Sequence, residues 1–453
     1  MKIAVINGSP KGDNSITLQT SIYLSKKYTE HEFRTLNVGS MIKLLERDFT
    51  KAEEILCWAD TVIFSYPVYT FIAPSQLHRF IELLKASKID LGGKVATQIS
   101  TSKHFFDVTA ARYVEDNIAD LGMRYVAGLC ADMDDLLKPG GRSEAEKFFE
   151  YLVFAVENGV DDSRPRTAQT EYVPVFATTP TESREVAENG DIVIITDETD
   201  PNSSLSAMIA RFRATIGIPT RVINISEYPM RGGCLGCFSC AVSGKCVYTD
   251  GFDSLLREKI QTADAMIYAF TVRDHSMGSR FKMYDDRNFC NGHRTVTVGM
   301  PVGYLVSGRY SEEDNLRTIV EGRASVGHNY LAGVATDERD PDGEIDTLGA
   351  RLRFALENKY VPPQNFLGVG GLKIFRDLIY QMRGMMRADH KFYKKKGFYD
   401  FPQKKWPMSL GMYFVGFLLS SEKLKKKMGG KMNEGMLMPY KKLFKKEFGE
   451  EKK

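Results

Sequence analysis

Short apolar runs alternate with longer amphipathic stretches over the first 160 residues of the chain. Residues 2–8, 33–38, 61–68, 94–101 and 125–132 are compact apolar runs bounded by turn residues, the pattern of buried strands. Between and after them, 15–28, 51–59, 74–86, 108–121 and 143–157 repeat apolar residues at helical spacing. Five strands separated by helices predict an α/β fold, an open parallel sheet covered on both faces. Right-handed crossovers leave few topologies for such a sheet.

The polar stretch 158–189, with Pro165, Pro174 and Pro180, predicts a linker. At Gly190 the alternation starts again. Strands are predicted at 191–197, 220–226, 265–272, 295–308 and 325–336, and helices at 204–217, 252–261 and 346–359. The chain thus reads as a tandem repeat of one fold, with domains at 1–157 and 190–360. The remainder, 361–453, differs: it is rich in Lys, aromatics and Met, with helices predicted at 371–397 and 407–427. The GVGG run at Gly368–Gly371 reads as a turn, because no strand and acidic partner frame it as a dinucleotide loop.

Charge sharpens this division. The 453 residues carry a net +3, but from Val361 onward 21 Lys+Arg face 8 Asp+Glu, and the rest of the chain is acidic. A basic tail on an acidic body implies either packing across the domain junction or docking to a membrane surface or a protein partner. No nucleic-acid partner is expected, and a homo-oligomer is left open. The N-terminus runs straight into a strand without a signal-peptide pattern, and no apolar run reaches the ~18 residues of a span. The expected compartment is the cytoplasm. Of seven cysteines, four crowd between Cys234 and Cys246, which points to metal and not to disulfides. Cys57, Cys130 and Cys290 are expected to be buried small apolar residues.

Three segments carry candidate chemistry. The first, 8–17, joins strand one to helix one, where free N–H groups and the helix dipole favour a phosphate. Ser9, Ser15 and Thr17 add hydroxyls and Lys11 adds charge. The second, Ser65–Tyr69, ends strand three beside the point where strand order reverses, and ligands bind there in such sheets. The third has the spacing C-x2-C-x2-C-x5-C at Cys234, Cys237, Cys240 and Cys246. Four thiolates within thirteen residues suit one cubane cluster. Zinc and a ligand-free loop are the alternatives, although zinc sites usually split into two pairs.

The first two segments resemble the NAD(P)H-dependent FMN reductases of the flavodoxin-like superfamily, over about residues 1–155. The resemblance implies FMN held by Ser9, Lys11, Ser15, Ile16 and Thr17, with Pro67, Val68 and Tyr69 along the ring. Ser100, Thr101 and Ser102 would lie on the ring's other side, and NAD(P)H is implied as electron donor. Ile16 stands where relatives commonly have Asn, and His78 where they commonly have Lys. The cysteine segment, with the later Lys282, Asp286 and Arg287, resembles the iron–sulfur flavoproteins over about 190–360, which implies one [4Fe–4S] cluster. Both families share the flavodoxin-like fold, so two tandem flavodoxin-like doubly wound sheets plus a basic helical C-terminal extension are expected.

The two halves differ in a complementary way. The second half's phosphate-loop position carries Asp197, Glu198 and Asp200, carboxylates that would repel a phosphate, so its flavin is expected to be lost. His275 and His293 fall in that vacated region. In homodimeric relatives the cluster of one subunit lies near the flavin of the other. The chain is therefore expected to be a built-in pseudo-dimer, with Cys240 near Ser9. The activity expected is an oxidoreductase passing electrons between a nicotinamide, FMN and the cluster to a small-molecule or protein acceptor. An electron carrier docking to a partner enzyme, or a quinone, nitro or enone reductase, are the competing readings.

Overall fold

Among the described residues eleven strands, all paired in parallel, build two sheets of the same strand order. The computed structural model describes residues 1–164, 171–420 and 437–449. In the first half β1 (Lys2–Asn7), β2 (Glu32–Leu36), β3 (Thr61–Pro67), β4 (Val95–Ser102) and β5 (Arg124–Tyr125) pair in the order β2-β1-β3-β4-β5, and β6 (Leu129–Asp132) also pairs β4. In the second half β7 (Ile192–Thr196), β8 (Thr220–Asn224), β9 (Ala265–Thr271), β10 (Pro301–Ser307) and β11 (Tyr330–Thr336) pair in the order β8-β7-β9-β10-β11. Both are the doubly wound flavodoxin-like order. Strand three of each half is buried along nearly its whole length, and therefore reads as continuous hydrophobicity.

Several elements depart from the expectations. The run 125–132 is split at Gly128, where any Cβ would collide with the main chain of Gln98. The predicted strand 295–308 begins only at Pro301, and 325–327 close a helix, Asp314–Gly327, which the pattern did not reveal. Helices Val38–Leu45 and Gly278–Arg287 were also unforeseen. Of the linker 158–189, residues 165–170 lie outside the described residues. The part after them bonds to the second half, with Val175 N–H donating to the Asp337 carbonyl (2.8 Å) and Arg184 N–H to that of Ala214 (2.9 Å).

The chain divides into two compact units, Met1–Phe392 and Tyr393–Lys453. Residues 361–392, expected in the extension, thus fall in the first unit. Helix Phe366–Gln381 lies on helix Asp314–Gly327 there. GVGG is consequently helix and not turn: Gly368 faces the Ser325 main chain and Gly371 faces Val326 and Phe105 too closely for a side chain. The predicted helix 371–397 is broken between Gln381 and Arg387, a stretch containing Gly384. In the second unit Trp406–Leu419 is helical, while 421–427 of the predicted second tail helix lie outside the described residues.

One apolar core runs through both halves of the first unit, joining Phe64, Phe80 and Tyr113 to Phe270, Phe281 and Leu316. Two further cores cover the outer faces of the two sheets. The halves meet through helices Ser75–Ser87 and Gly278–Arg287, which are related by a constant offset of 204 residues that also carries β3 onto β9. Each helix receives at its N-terminus a carboxylate from the other. Asp286 Oδ2 accepts from Ser75 N–H (2.7 Å), and Glu82 accepts from the N–H and hydroxyl of Ser279 (2.7 and 2.6 Å). Ser75 maps onto Ser279 and Glu82 onto Asp286, so the two caps are one interaction made twice, as at a two-fold interface.

Charges complete the seam. Lys282, fully buried, contacts Asp285 (3.0 Å) and Asp286 (2.5 Å) and donates to the Tyr69 carbonyl (3.0 Å). His275 bridges the halves, touching Asp120 (2.9 Å) and Glu313 (2.8 Å). Burial alone would lower its pKa, but the two carboxylates raise it to about 9.

Two outcomes are expected. Asp286→Ala leaves Lys282 buried with less counter-charge and costs about 3–5 kcal/mol in urea unfolding, whereas Glu82→Ala, losing a cap on a less enclosed helix end, costs about 1–2 kcal/mol. A raised histidine pKa stabilises the fold fully below the unfolded value near 6.5, and that contribution disappears as pH rises through 9. Wild type should therefore lose up to about 3 kcal/mol relative to His275→Gln between pH 6 and pH 10. Parallel stability curves for the two proteins would disprove the bridge.

Candidate functional site

The carboxyl end of the first sheet is shaped by Asn7, the last residue of β1. Its side chain donates to the Gly12 carbonyl (2.9 Å) and to Asn37 (2.8 Å), and it accepts from Ser9 N–H (3.2 Å). Gly12 turns the chain at φ +53°, and Gly39 lets helix Val38–Leu45 press on the main chain of Gly8 and Ser9. Ser15 then caps helix Ile16–Lys27 by accepting from Leu18 N–H (3.4 Å). Among the described residues the N–H groups of Ile16 and Thr17 meet no acceptor. They open with Lys11 onto one cavity, and Thr17 shares a hydroxyl contact of 2.6 Å with Thr101.

Pro67, Val68 and Tyr69 form the next wall. The chain turns back between Tyr69 and Ile72, with Thr70 and Phe71 both in the left-handed region (φ +43° and +74°). Two non-glycine residues there cost on the order of 1–3 kcal/mol each. The second half holds the turn in place. Lys282 donates to the Tyr69 carbonyl, Arg323 to that of Thr70 (3.1 Å), and the Thr70 hydroxyl donates to Asp286 (2.8 Å). Thr101 and Ser102 line the cavity as well. Ser100 does not; it is wholly buried within β4. His78 stacks on Tyr113 (4.0 Å, 14°), and burial drives its pKa far below the ordinary value, so it is neutral.

The cysteine loop forms the opposite wall. Cys234, Cys237, Cys240 and Cys246 line the same cavity as Ser9, Lys11 and Thr17, which encloses about 1380 Å³ with the solvent at its mouth. The loop follows β8 and needs left-handed backbone at Gly236 and Gly244. Gly236 lies so near Tyr69 that a side chain would collide with the phenol. Arg287 anchors the base: it pairs with both oxygens of Asp250 (2.9 and 2.8 Å), donates to the Gly232 carbonyl (3.1 Å) and lies over Tyr248 and Phe252. Across the seam, Gln76 donates to the Cys234 carbonyl (3.4 Å) and Lys11 sits 5.5 Å from the centre of the Phe238 ring. Burial pushes the Cys234 thiol up to about 12 and the Cys240 thiol up to about 11. Among the described residues no three His, Cys, Asp or Glu side chains gather closely enough to hold a single metal ion.

The second half's own phosphate-loop position is filled from within. Glu198 Oε1 accepts from the N–H groups of Thr199 and Asp200 (both 2.8 Å), and Asp200 accepts from Asn202 N–H (2.9 Å). Side-chain carboxylates therefore take loop donors that would otherwise face an anion. Of the two histidines placed in that region, His275 instead joins the seam. His293 lines the first cavity, tied to Asp389 (3.1 Å).

Other wall residues were not anticipated: Phe105, Phe289, Phe375 and Leu378 supply an apolar side. Only the amphipathic spacing of 371–381 hinted at the last two. Cys290 is buried as expected and borders the same cavity, but Cys57 is exposed on the last turn of helix Thr50–Trp58 and Cys130 is only partly covered.

Residues 1–131 match the family model "NADPH-dependent FMN reductase". That stretch of the first half is similar to the FMN reductases over 131 of the chain's 453 residues. An iron-sulfur flavoprotein from Archaeoglobus fulgidus is 28% identical over 176 residues, 36% of this chain and 79% of that protein. Among solved structures, the apo form of an NADH:FMN oxidoreductase (EMOB) is 21% identical, covering 36% of this chain and 91% of its own, with a TM-score of 0.30. An NAD(P)H:quinone oxidoreductase from Methanothermobacter marburgensis is 14% identical, covering 37% and 99%, with a TM-score of 0.27. The half that this match covers presents what a phosphate requires: two open N–H donors at a helix N-terminus with a lysine beside them.

Exposure orders the free thiols. Under native conditions Cys57 should be alkylated by iodoacetamide while Cys290 reacts only after denaturation, as read by peptide mass spectrometry. Early labelling of Cys290 would contradict the buried wall.

Proposed function

We propose that this protein is an NAD(P)H-linked flavin oxidoreductase in which FMN and one [4Fe–4S] cluster occupy the same cavity, one held by each half. The observation that carries the reading is that the phosphate loop and all four cysteines line that single cavity. Bound there, FMN would exchange two electrons with a nicotinamide and single electrons with a cluster.

The residues divide the work. Ile16 and Thr17 N–H and Lys11 hold the phosphate, with Ser9 and Ser15 shaping the loop. Pro67, Val68 and Tyr69 bound the ring on one side and Thr101 and Ser102 on the other. Cys234, Cys237, Cys240 and Cys246 supply four thiolates. A zinc site at bond lengths of ~2.3 Å would draw its sulfurs to about 3.8 Å of one another, whereas a cube of four irons spreads them more widely. The C-x2-C-x2-C-x5-C spacing, with no long loop dividing the cysteines into two pairs, favours the larger occupant. Phe105, Phe289, Phe375 and Leu378 exclude water and favour a flat, apolar electron acceptor.

Anaerobic purification with FMN, iron and sulfide assays tests the reading. About one FMN and four irons per chain are expected. Cys240→Ser should lose the iron and keep FMN, and Gly39→Ala, which forces the phosphate loop away from helix Val38–Leu45, should lose FMN at least tenfold in affinity. Flavin with stoichiometric zinc, or no metal at all, would leave a plain flavin reductase and remove the relay.

A further inference from the structure

The second compact unit, Tyr393–Lys453, has no role in the chemistry above. We propose that it is a peripheral anchor for an anionic lipid surface. Its helix Trp406–Leu419 reads WPMSLGMYFVGFLL, without a charged residue. Trp406, Leu410, Tyr413, Phe414 and Phe417 recur at helical spacing along one face, and all are more than half exposed. At 1.5 Å per residue the helix is about 21 Å long, short of the ~30 Å hydrocarbon layer. Among the described residues no helix is long and apolar enough to cross a membrane. Such a segment lies in the interface, its Trp and Tyr at headgroup depth.

The second helical stretch, 437–448, is built differently and completes the argument. Leu437, Tyr440, Leu443, Phe444 and Phe448 form one exposed apolar side, and Lys441, Lys442, Lys445 and Lys446 fill the other. From residue 393 onward the chain has 16 Lys and no Arg against 6 Asp+Glu. A compact protein partner would be met by a matched mixture of charges. A field of lysines around large exposed apolar side chains instead complements a surface that is uniformly negative outside and apolar beneath. Lysine suits it, since the stem can lie along the apolar layer while the ammonium stays at the headgroups.

The proposal is independent of the cofactors, and the full-length protein tests it. In flotation, the chain should rise with vesicles of phosphatidylcholine and phosphatidylglycerol, stay down with phosphatidylcholine alone, and be released as salt is raised. Trp406 emission should shift to the blue on binding. Phe414→Glu with Phe417→Glu should abolish flotation, and Lys→Gln at 441, 442, 445 and 446 together should weaken it by about tenfold or more. All six side chains are exposed, so the fold survives these changes. Equal binding to both vesicle types, or unchanged binding by the variants, would overturn the proposal. Self-association without lipid binding would do so too, assigning the face to a second copy of the chain.

Discussion

The exchange of carboxylates between helices Ser75–Ser87 and Gly278–Arg287 supports everything around the cavity. Its centre is Lys282, an ammonium without solvent, which is tolerable only because Asp285, Asp286 and the Tyr69 carbonyl surround it. Separating the halves would take the Tyr69 carbonyl from Lys282 and leave it only the carboxylates of its own helix, open two helix N-termini and expose the shared core. It would also release the Tyr69–Ile72 turn, whose left-handed residues are held by Lys282, Arg323 and Asp286 from the other half. Fold and site are therefore one cooperative object. A first half expressed alone would keep its sheet pattern but lose the scaffold of one cavity wall.

A two-fold arrangement should generate two equal cavities, and this chain has broken that equivalence at each point where a ligand would bind. After β2 the first half continues directly into helix Val38–Leu45, which braces the phosphate loop. After β8 the second half inserts the cysteine loop. The first phosphate loop leaves two N–H groups open, and the second closes its own with Glu198. At the switch-point turn the backbone is conserved to the dihedral, with Thr70 and Phe71 answered by Asp274 and His275, all at positive φ. The side chains are not: Tyr69 faces the cavity, whereas its counterpart Arg273 does not line it. Fusion makes this possible, because two copies of one chain cannot diverge from each other.

What could be read from the sequence follows from what each residue type had to do. Central strands buried on both faces announce themselves as apolar runs, and a cysteine cluster announces itself by spacing. The phosphate loop was legible because it depends on backbone freedom and small hydroxyls at a strand–helix junction. Helix Gly278–Arg287 was not legible as a helix, because its buried face carries Lys282, Asp285, Asp286 and Arg287, and hydrophobic periodicity cannot register charges satisfied across a seam. Phe375 and Leu378 were missed for the opposite reason: their segment looked like an appendage, and only the close approach of Gly368 and Gly371 to Ser325 and Val326 brings it to the cavity. Cys57 shows that a solitary cysteine need not be buried.

The cysteine loop also joins the two halves. Burial holds Cys234 and Cys240 as thiols, so any metal that entered would have to displace those protons, and the thiolate-bound group, net negative, would stand in a cavity bordered by Lys11. The loop that carries them is fastened to the other half by Gln76 and packed on Tyr69 at Gly236. Any free energy by which a ligand on the phosphate loop changed binding at the cysteine wall would, by reciprocity, be returned in full in the other direction. A cavity assembled from two halves of one chain keeps both walls together without a dimer's dependence on concentration.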